Sequence, residues 1–269
     1  MLSKKKALII GCGWVGIRFA QKLITIDFDV TATTTSDFKI NTLNHLGVRA
    51  FLLDFSKEPI PEMENSVSNQ LFDIVLISVP AKKREDFINC IKKFESLSQF
   101  LQKIRAKSMV YLSSVGIYPT SPHPIGEMDI PNQLLDPKLY RAEQILTTAV
   151  AQLNILRLGG IFGDNRIPGR HFSAKRCEVG SQFANYIHVE DIHAIILSLY
   201  DEGIHGKLYN AVSPFHPQKK EIILQMVKKY GFALPSSFEN RPFEHKLVSS
   251  EKLITDLNYQ FIYESPLDY

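Results

Sequence analysis

The feature that most constrains this chain is the hexapeptide GCGWVG at residues 11–16, set between the apolar run ALII and the segment IRFAQKLI. A G-x-G-x-x-G turn means little alone. Directly after a buried strand and at the head of a helix it acquires a mechanical reading. Gly11 permits a tight turn, Gly13 removes a side chain where a ligand's pyrophosphate would approach the backbone, and Gly16 lets helix and strand close on each other. The helix N-terminus then offers N–H donors and the positive end of the peptide dipoles to an anion.

The surrounding periodicity supplies that context. KALII (6–10) reads as a strand, and Phe19, Ala20, Leu23 and Ile24 fall at helical spacing after the turn. DVTATT (29–34) is a second, β-branched strand, followed by a helix ending near Leu46 and a third strand, VRAFLLD (48–54). Further strands read at FDIVLISV (72–79), KSMVYLSS (107–114), LNILRLG (153–159) and KLYNAV (207–212), with amphipathic helices between them. The alternation predicts an α/β protein with a Rossmann-type doubly wound parallel sheet. In the helix expected over 84–102, Phe87, Ile88, Ile91, Phe94, Leu97 and Phe100 form one apolar stripe, serving the core or a subunit contact.

Composition excludes several classes. A net charge of +3, with 31 basic against 28 acidic residues, gives no field to steer nucleic acid or an anionic membrane. No stretch approaches the roughly 20 apolar residues a membrane helix needs, and the run after MLSKKK is too short for a signal peptide, so a cytoplasmic protein is expected. Cys12, Cys90 and Cys177 are odd in number and widely spaced, against a disulfide framework or a zinc site. Cys12, inside the glycine turn, reads as a small filler rather than a reactive thiol.

The glycine turn points to a nicotinamide dinucleotide, with Gly11, Cys12, Gly13, Trp14, Val15 and Gly16 around its phosphates. An NAD-selecting strand usually ends in Asp or Glu to bind the ribose 2'-hydroxyl. Here Thr33, Thr34, Thr35 and Ser36 stand at that end, which leans toward NADP, with Arg18 and Lys39 as the nearest cations for a 2'-phosphate. Asp37 is expected to cap the second helix.

Ordered along nearly the whole chain, GCGWVG (11–16), LLDFS (52–56), LISVP (76–80), YLSSVGIYP (111–119), RLGGIFGDNR (157–166), YIHVEDI (186–192) and LYNAV (208–212) resemble the NAD-dependent epimerase/dehydratase family, the extended short-chain dehydrogenases/reductases. The resemblance implies that Asp54 and Phe55 lie beside the adenine, that Ser78, Val79 and Pro80 line the cofactor, and that Ser114 is the active-site serine. It places Tyr186, His188, Glu190 and Asp191 in a bracing segment, with His188 and Asp191 read as a hydrogen-bonded turn rather than as catalysts.

Active members of that family complete the site with Tyr-x-x-x-Lys, whose i, i+4 spacing lets the ammonium lower the phenol's pKa. None of the ten tyrosines here has a lysine four residues on. Glu143 in YRAEQIL matches a Glu that follows the family's Lys, so Leu139 and Leu135 occupy the Lys and Tyr positions. Neither side chain can donate a proton. Asp136 and Pro137 make a helix start that leaves Leu135 outside, and Ala142, Ile145, Leu146 and Ala149 form the expected packing face. Lys138, Tyr140 and Arg141 are one step off and read as surface or packing residues. The pattern resembles the atypical members that keep the nucleotide-binding fold and lose the standard active site.

By the same resemblance, residues 1–160 with 186–212 form the dinucleotide-binding domain, and 161–185 with 213–269 a smaller substrate lobe. The basic segment IPGRHFSAKR (167–176) reads either as a cradle for an anionic substrate or as a solvated loop, with Arg170, His171 and Lys246 the residues to test, and KLVSSEKL (246–253) resembles a stretch that closes over the cleft. Two functions are expected: an oxidoreductase or epimerase/dehydratase on a small or nucleotide-linked substrate, or a non-catalytic sensor of cofactor state. The helices near 84–102 and 137–150 suit a homodimer contact. No metal site is expected.

Overall fold

A computed structural model of the chain describes residues 4–57, 67, 70–239 and 246–269. With elements numbered in chain order, the strands are β1 (Lys5–Ile10), β2 (Phe28–Thr34), β3 (Arg49–Leu52), β4 (Leu71–Ile77), β5 (Arg105–Ser114), β6 (Asn154–Leu158), β7 (Gly160–Phe162), β8 (Arg176–Cys177), β9 (Tyr186–His188), β10 (Leu208–Ala211) and β11 (Ser237–Phe238). The helices are α1 (Trp14–Thr25), α2 (Asp37–His45), α3 (Phe87–Gln102), α4 (Pro137–Ala149), α5 (Val189–Asp201), α6 (Lys219–Tyr230) and α7 (Glu251–Leu257).

Seven strands form one sheet in the order β3-β2-β1-β4-β5-β6-β10. The ladders β3–β2, β2–β1, β1–β4 and β4–β5 are parallel, as the alternation predicts. Residues Ala7 to Ile10 and Phe72 to Ile77 are buried without a break, the signature of strands covered on both faces. Strand order reverses between β1 and β4, and ligands of open α/β sheets bind beyond the carboxyl ends of strands at such a point.

The helices follow the apolar periodicity with informative departures. Asp86 caps α3 by accepting the Asn89 N–H at 3.0 Å, so the helix starts at 87 rather than 84. Phe94, Leu97, Phe100 and Leu101 join Phe72 and Tyr111 in the core, whereas Phe87 and Ile88 are 47% and 61% exposed. The apolar stripe therefore splits into a core part and a surface part. In α4, which begins at Pro137 and leaves Leu135 outside, the buried residues are Ala142, Glu143 and Leu146. Ile145 and Ala149 are only half-buried, because the buried face has turned toward Glu143. Asp37 does not cap α2: Ser36 holds that position, and Asp37 lies in the first turn, where its charge faces the helix dipole. β3 is shorter than expected, although the Leu53 N–H still donates to the Thr34 carbonyl at 2.9 Å.

The chain divides into two compact units: residues 1–113, 137–156 and 196–208, and residues 114–136, 157–195 and 209–269. Among the described residues no helix is long and apolar enough to cross a membrane. The three cysteines are buried and free.

Candidate functional site

In the first unit the glycine turn is built by backbone bonding to β2. The Gly11 N–H donates to Thr33 Oγ1 at 3.0 Å and the Cys12 N–H to the Thr33 carbonyl at 2.6 Å. Gly11 has φ +82°, and a Cβ there would stand 3.1 Å from the Ser78 carbonyl oxygen. Both facts demand glycine. At Gly16 a Cβ would stand 3.0 Å from Ile9 Cγ2, which explains the third glycine as a packing requirement. Gly13 differs: a Cβ there would meet only the Gly11 carbonyl, at 3.9 Å. Protein packing does not require that glycine, and the space it leaves lies at the N-cap of α1, a helix with no acid in its first turn. First-turn N–H groups have no intrahelical acceptor, so the surface is donor-rich and open to an anion. Burial pushes the Cys12 thiol up to about 12, with Lys39 pulling the other way, so it stays protonated at neutral pH.

The other strand ends surround this turn differently. Thr34 is buried and its hydroxyl accepts the Ser36 N–H at 3.3 Å, Thr35 is exposed, and Ser36 is half-buried. Arg18 stacks over Trp14 at 3.9 Å from the ring centroid and donates to the Trp14 carbonyl at 3.2 Å. Asp54 accepts from the Ser56 hydroxyl at 2.7 Å, and this bond is the main reason its carboxyl lies below the usual range. Phe55 is buried, packed edge-on against Phe100 at 5.5 Å. Ser78 and Val79 stand over Gly11, where an added Cβ would lie 3.1 Å from the Ser78 carbonyl oxygen and 3.2 Å from Val79 Cγ2, and the Ser78 N–H donates to the Ile10 carbonyl at 2.8 Å. Pro80 is exposed, and its carbonyl accepts from the buried Lys93 ammonium at 2.8 Å.

Two lysines tie the loop that follows Pro80. Lys93 pairs with Glu85 at 2.7 Å; burial raises the Glu85 pKa, but the Lys93 ammonium outweighs it and holds the carboxyl below the usual range. Lys138 donates to the carbonyls of Lys82, Lys83 and Glu85 at 2.6, 3.0 and 2.9 Å. Leu139 is half-buried, and Glu143, fully inside, accepts the Ser113 hydroxyl at 2.6 Å. None of these polar roles was legible in advance, although a lysine at position 93, between Cys90 and Leu97 on the apolar face, was the signal for a buried ion pair.

In the second unit Ser114, last residue of β5, is half-buried; its oxygen accepts the Gly116 N–H at 3.0 Å, which leaves its hydroxyl hydrogen to donate. Leu135 is buried. Tyr118 is also buried, its hydroxyl donating to Asn210 Oδ1 at 2.7 Å and accepting from Arg157 at 2.7 Å. The Asn210 N–H in turn donates to Glu127 at 2.7 Å. An arginine inside the apolar strand NILRL was the sequence signal for this network. Asp191 accepts from the Tyr259 hydroxyl at 2.8 Å and from the Ile262 and Tyr263 N–H groups at 2.7 and 3.2 Å, a structural brace. His188 Nδ1 accepts the Glu190 N–H at 3.3 Å, while burial among Phe162, Tyr263 and Tyr269 lowers its pKa to about 4. Arg170 and His171 are exposed and line, with Asn165, Arg166 and Tyr186, a pocket of about 310 Å³. Lys246 donates to the Tyr118 carbonyl; burial, then Lys219, pulls its pKa down.

No family model matches the chain. Protein YeeZ of Escherichia coli (strain K12) is 25% identical over 271 residues, covering 98% of each protein. Among solved structures, the ADP-L-glycero-D-manno-heptose-6-epimerase of Helicobacter pylori is 17% identical with a TM-score of 0.76, over 98% of this chain and 94% of that one. The UDP-glucuronic acid 4-epimerase of Bacillus cereus, in complex with UDP-glucuronic acid and NAD, is 15% identical with a TM-score of 0.77, over 98% of this chain and 96% of that one. At these identities the likeness is one of architecture, and on it the chain has the fold of the NAD-dependent epimerases and dehydratases, the extended short-chain dehydrogenase/reductase fold its motifs resemble.

Proposed function

We propose that the chain binds a nicotinamide dinucleotide at the glycine turn and acts as an oxidoreductase or epimerase/dehydratase, with a non-standard active site, on a small or nucleotide-linked substrate. The observation that carries this reading is Gly13, a glycine that packing does not need, opening the N-terminus of α1. Gly11 to Gly16 receive the pyrophosphate, Asp54 and Phe55 flank the adenine half, and Ser78 to Pro80 form the wall beyond β4. The domain assignment expected from sequence, 1–160 with 186–212 for cofactor and 161–185 with 213–269 for substrate, belongs to the same proposal. With no carboxylate at the end of β2 and Arg18 engaged on Trp14, Lys39 is the cation for a 2'-phosphate, which favours NADP over NAD.

Bound nicotinamide supplies hydride exchange. The protein's own contribution would be the Ser114 hydroxyl, whose oxygen accepts the Gly116 N–H and whose hydrogen is therefore left to donate to a substrate oxygen. Leucine at 135 and 139 supports a second reading, a non-catalytic sensor of cofactor state, since loss of a general acid costs roughly 10² to 10⁴ in rate. A homodimer through α3, whose Phe87 and Ile88 are exposed, fits either reading.

The chain's single tryptophan is Trp14, in the proposed site, so its fluorescence tests binding directly. Titration with NAD, NADP and their reduced forms should give saturable quenching, strongest for the NADP pair; no change at millimolar concentrations would end the proposal. Ser114→Ala separates the two functions. An enzyme should lose turnover on a substrate panel while cofactor affinity holds, whereas a sensor shows no nicotinamide absorbance change and no isomerised product in either form.

A further inference from the structure

We propose that Lys138 is a positioning residue for the dinucleotide: it fixes the wall formed by Ser78, Val79 and Pro80 by holding the loop behind it. The proposal rests on the cofactor reading above. Lys138 lies in the first turn of α4, one residue before the leucine that stands where the resembled family carries its cofactor lysine. Its ammonium is turned to the backbone. An ammonium has three N–H donors, and here they meet three carbonyls, those of Lys82, Lys83 and Glu85, at 2.6, 3.0 and 2.9 Å. Charge-assisted bonds to carbonyls are stronger than neutral ones, and three converging on one cation define the loop's position.

The same loop is gripped from α3. Lys93 donates to the Pro80 carbonyl at 2.8 Å and to both Glu85 oxygens at 2.8 and 2.7 Å. Residues 80–85 are thus clipped by one lysine from each of two helices. Lys93 is buried and its loss would leave the half-buried Glu85 carboxylate without its ammonium, so it serves folding. The three bonds of Lys138 to this loop go to backbone carbonyls, groups that water can satisfy when the ammonium is removed, so its loss should free the loop without unfolding the core. The freed segment reaches the glycine turn at once: the Ser78 carbonyl and Val79 Cγ2 lie 3.1 and 3.2 Å from where a Gly11 Cβ would stand. A shift of the loop therefore opens the wall opposite the pyrophosphate.

Lys138→Met keeps the aliphatic stem and removes the charge, and Lys138→Arg restores a cation. Amide hydrogen exchange on the ligand-free protein and calorimetric affinity for NADP and NAD, measured on the full chain, give independent arms. Met should speed exchange over residues 80–86, leave α3 and the thermal midpoint unchanged, and weaken dinucleotide binding roughly tenfold, with Arg recovering part of both effects. Unchanged exchange over 80–86, or faster exchange with affinity intact within twofold, overturns the proposal. So does a loss of affinity accompanied by a fall in thermal midpoint that Arg does not rescue. Wild-type protein that binds no dinucleotide would refute the cofactor reading instead, and with it the positioning role, whatever the exchange arm reports.

Discussion

The glycine turn of β1–α1 and the YIHVEDI segment of β9–α5 both present the residue types that mark chemistry, yet they spend their polar groups in opposite directions. At the turn, Gly11 and Cys12 are bonded inward to Thr33, and Gly13 is left with open space before it. In β9–α5, Asp191 gives its oxygens to Tyr259, Ile262 and Tyr263, and His188 lies neutral among aromatic rings. A carboxylate or imidazole is a catalytic candidate only after its hydrogen bonds have been counted, and a glycine only after asking what its missing side chain would hit.

The contrast can be broken most forcefully at Asp191. Asp191→Ala leaves a hydroxyl and two backbone N–H groups without their acceptor, at about 1–3 kcal/mol each where water does not reach them. Urea denaturation should show a loss of about 4 kcal/mol, whereas dinucleotide affinity at temperatures where the variant is folded should not change. A stable variant with impaired affinity would reverse the roles assigned to the two regions.

Gly13→Val is the complementary change. Because its Cβ meets only the Gly11 carbonyl at 3.9 Å, the thermal midpoint should move by no more than about 2 °C. The side chain would fill the anion's place, so affinity should fall roughly a hundredfold, about 2.7 kcal/mol. Gly11→Val, at φ +82° against the Ser78 carbonyl, should instead cost stability and binding together. Equal stability losses at the two glycines would remove the distinction between a glycine kept for a ligand and one kept for the backbone.

His188 gives a smaller, pH-dependent effect. Its pKa is lowered from 6.5 to about 4 by burial, so between those values the unfolded chain binds more protons than the folded one. Stability from this group is fully present above about 6.5 and is lost as pH falls toward 4, by up to about 3 kcal/mol. Denaturation midpoints across this range should fall with acidification, and His188→Phe, which preserves a ring beside Tyr263, should flatten that slope. An unchanged slope would mean that other groups carry the acid sensitivity.

Much of the architecture was legible because it is periodic. β1 and β4 carry the apolar runs Ala7–Ile10 and Ile74–Ile77, the helix start at Pro137 follows from Asp-Pro chemistry, and the glycine spacing announces the first crossover. Legibility failed where one residue serves two elements. The α3 stripe looked uniform, but Phe87 and Ile88 lie outside the core, and Lys93 sits inside it because Glu85, eight residues earlier, folds back to meet it. Ser36 rather than Asp37 takes the cap of α2 because the helix already begins at Asp37, although β2 ends at Thr34 as the sequence reading has it. Lys138 could not be read as a loop clip, since its partners are carbonyls 53 to 56 residues away and carbonyls have no sequence signature.

Calorimetry with NAD, NADP, NADH and NADPH tests the central claim most directly. One saturable site per chain is expected, with the NADP pair bound more tightly than the NAD pair and affinity lowered roughly a hundredfold by Gly13→Val. Absence of binding heat for all four at millimolar concentration, or binding that survives Gly13→Val undiminished, would contradict it.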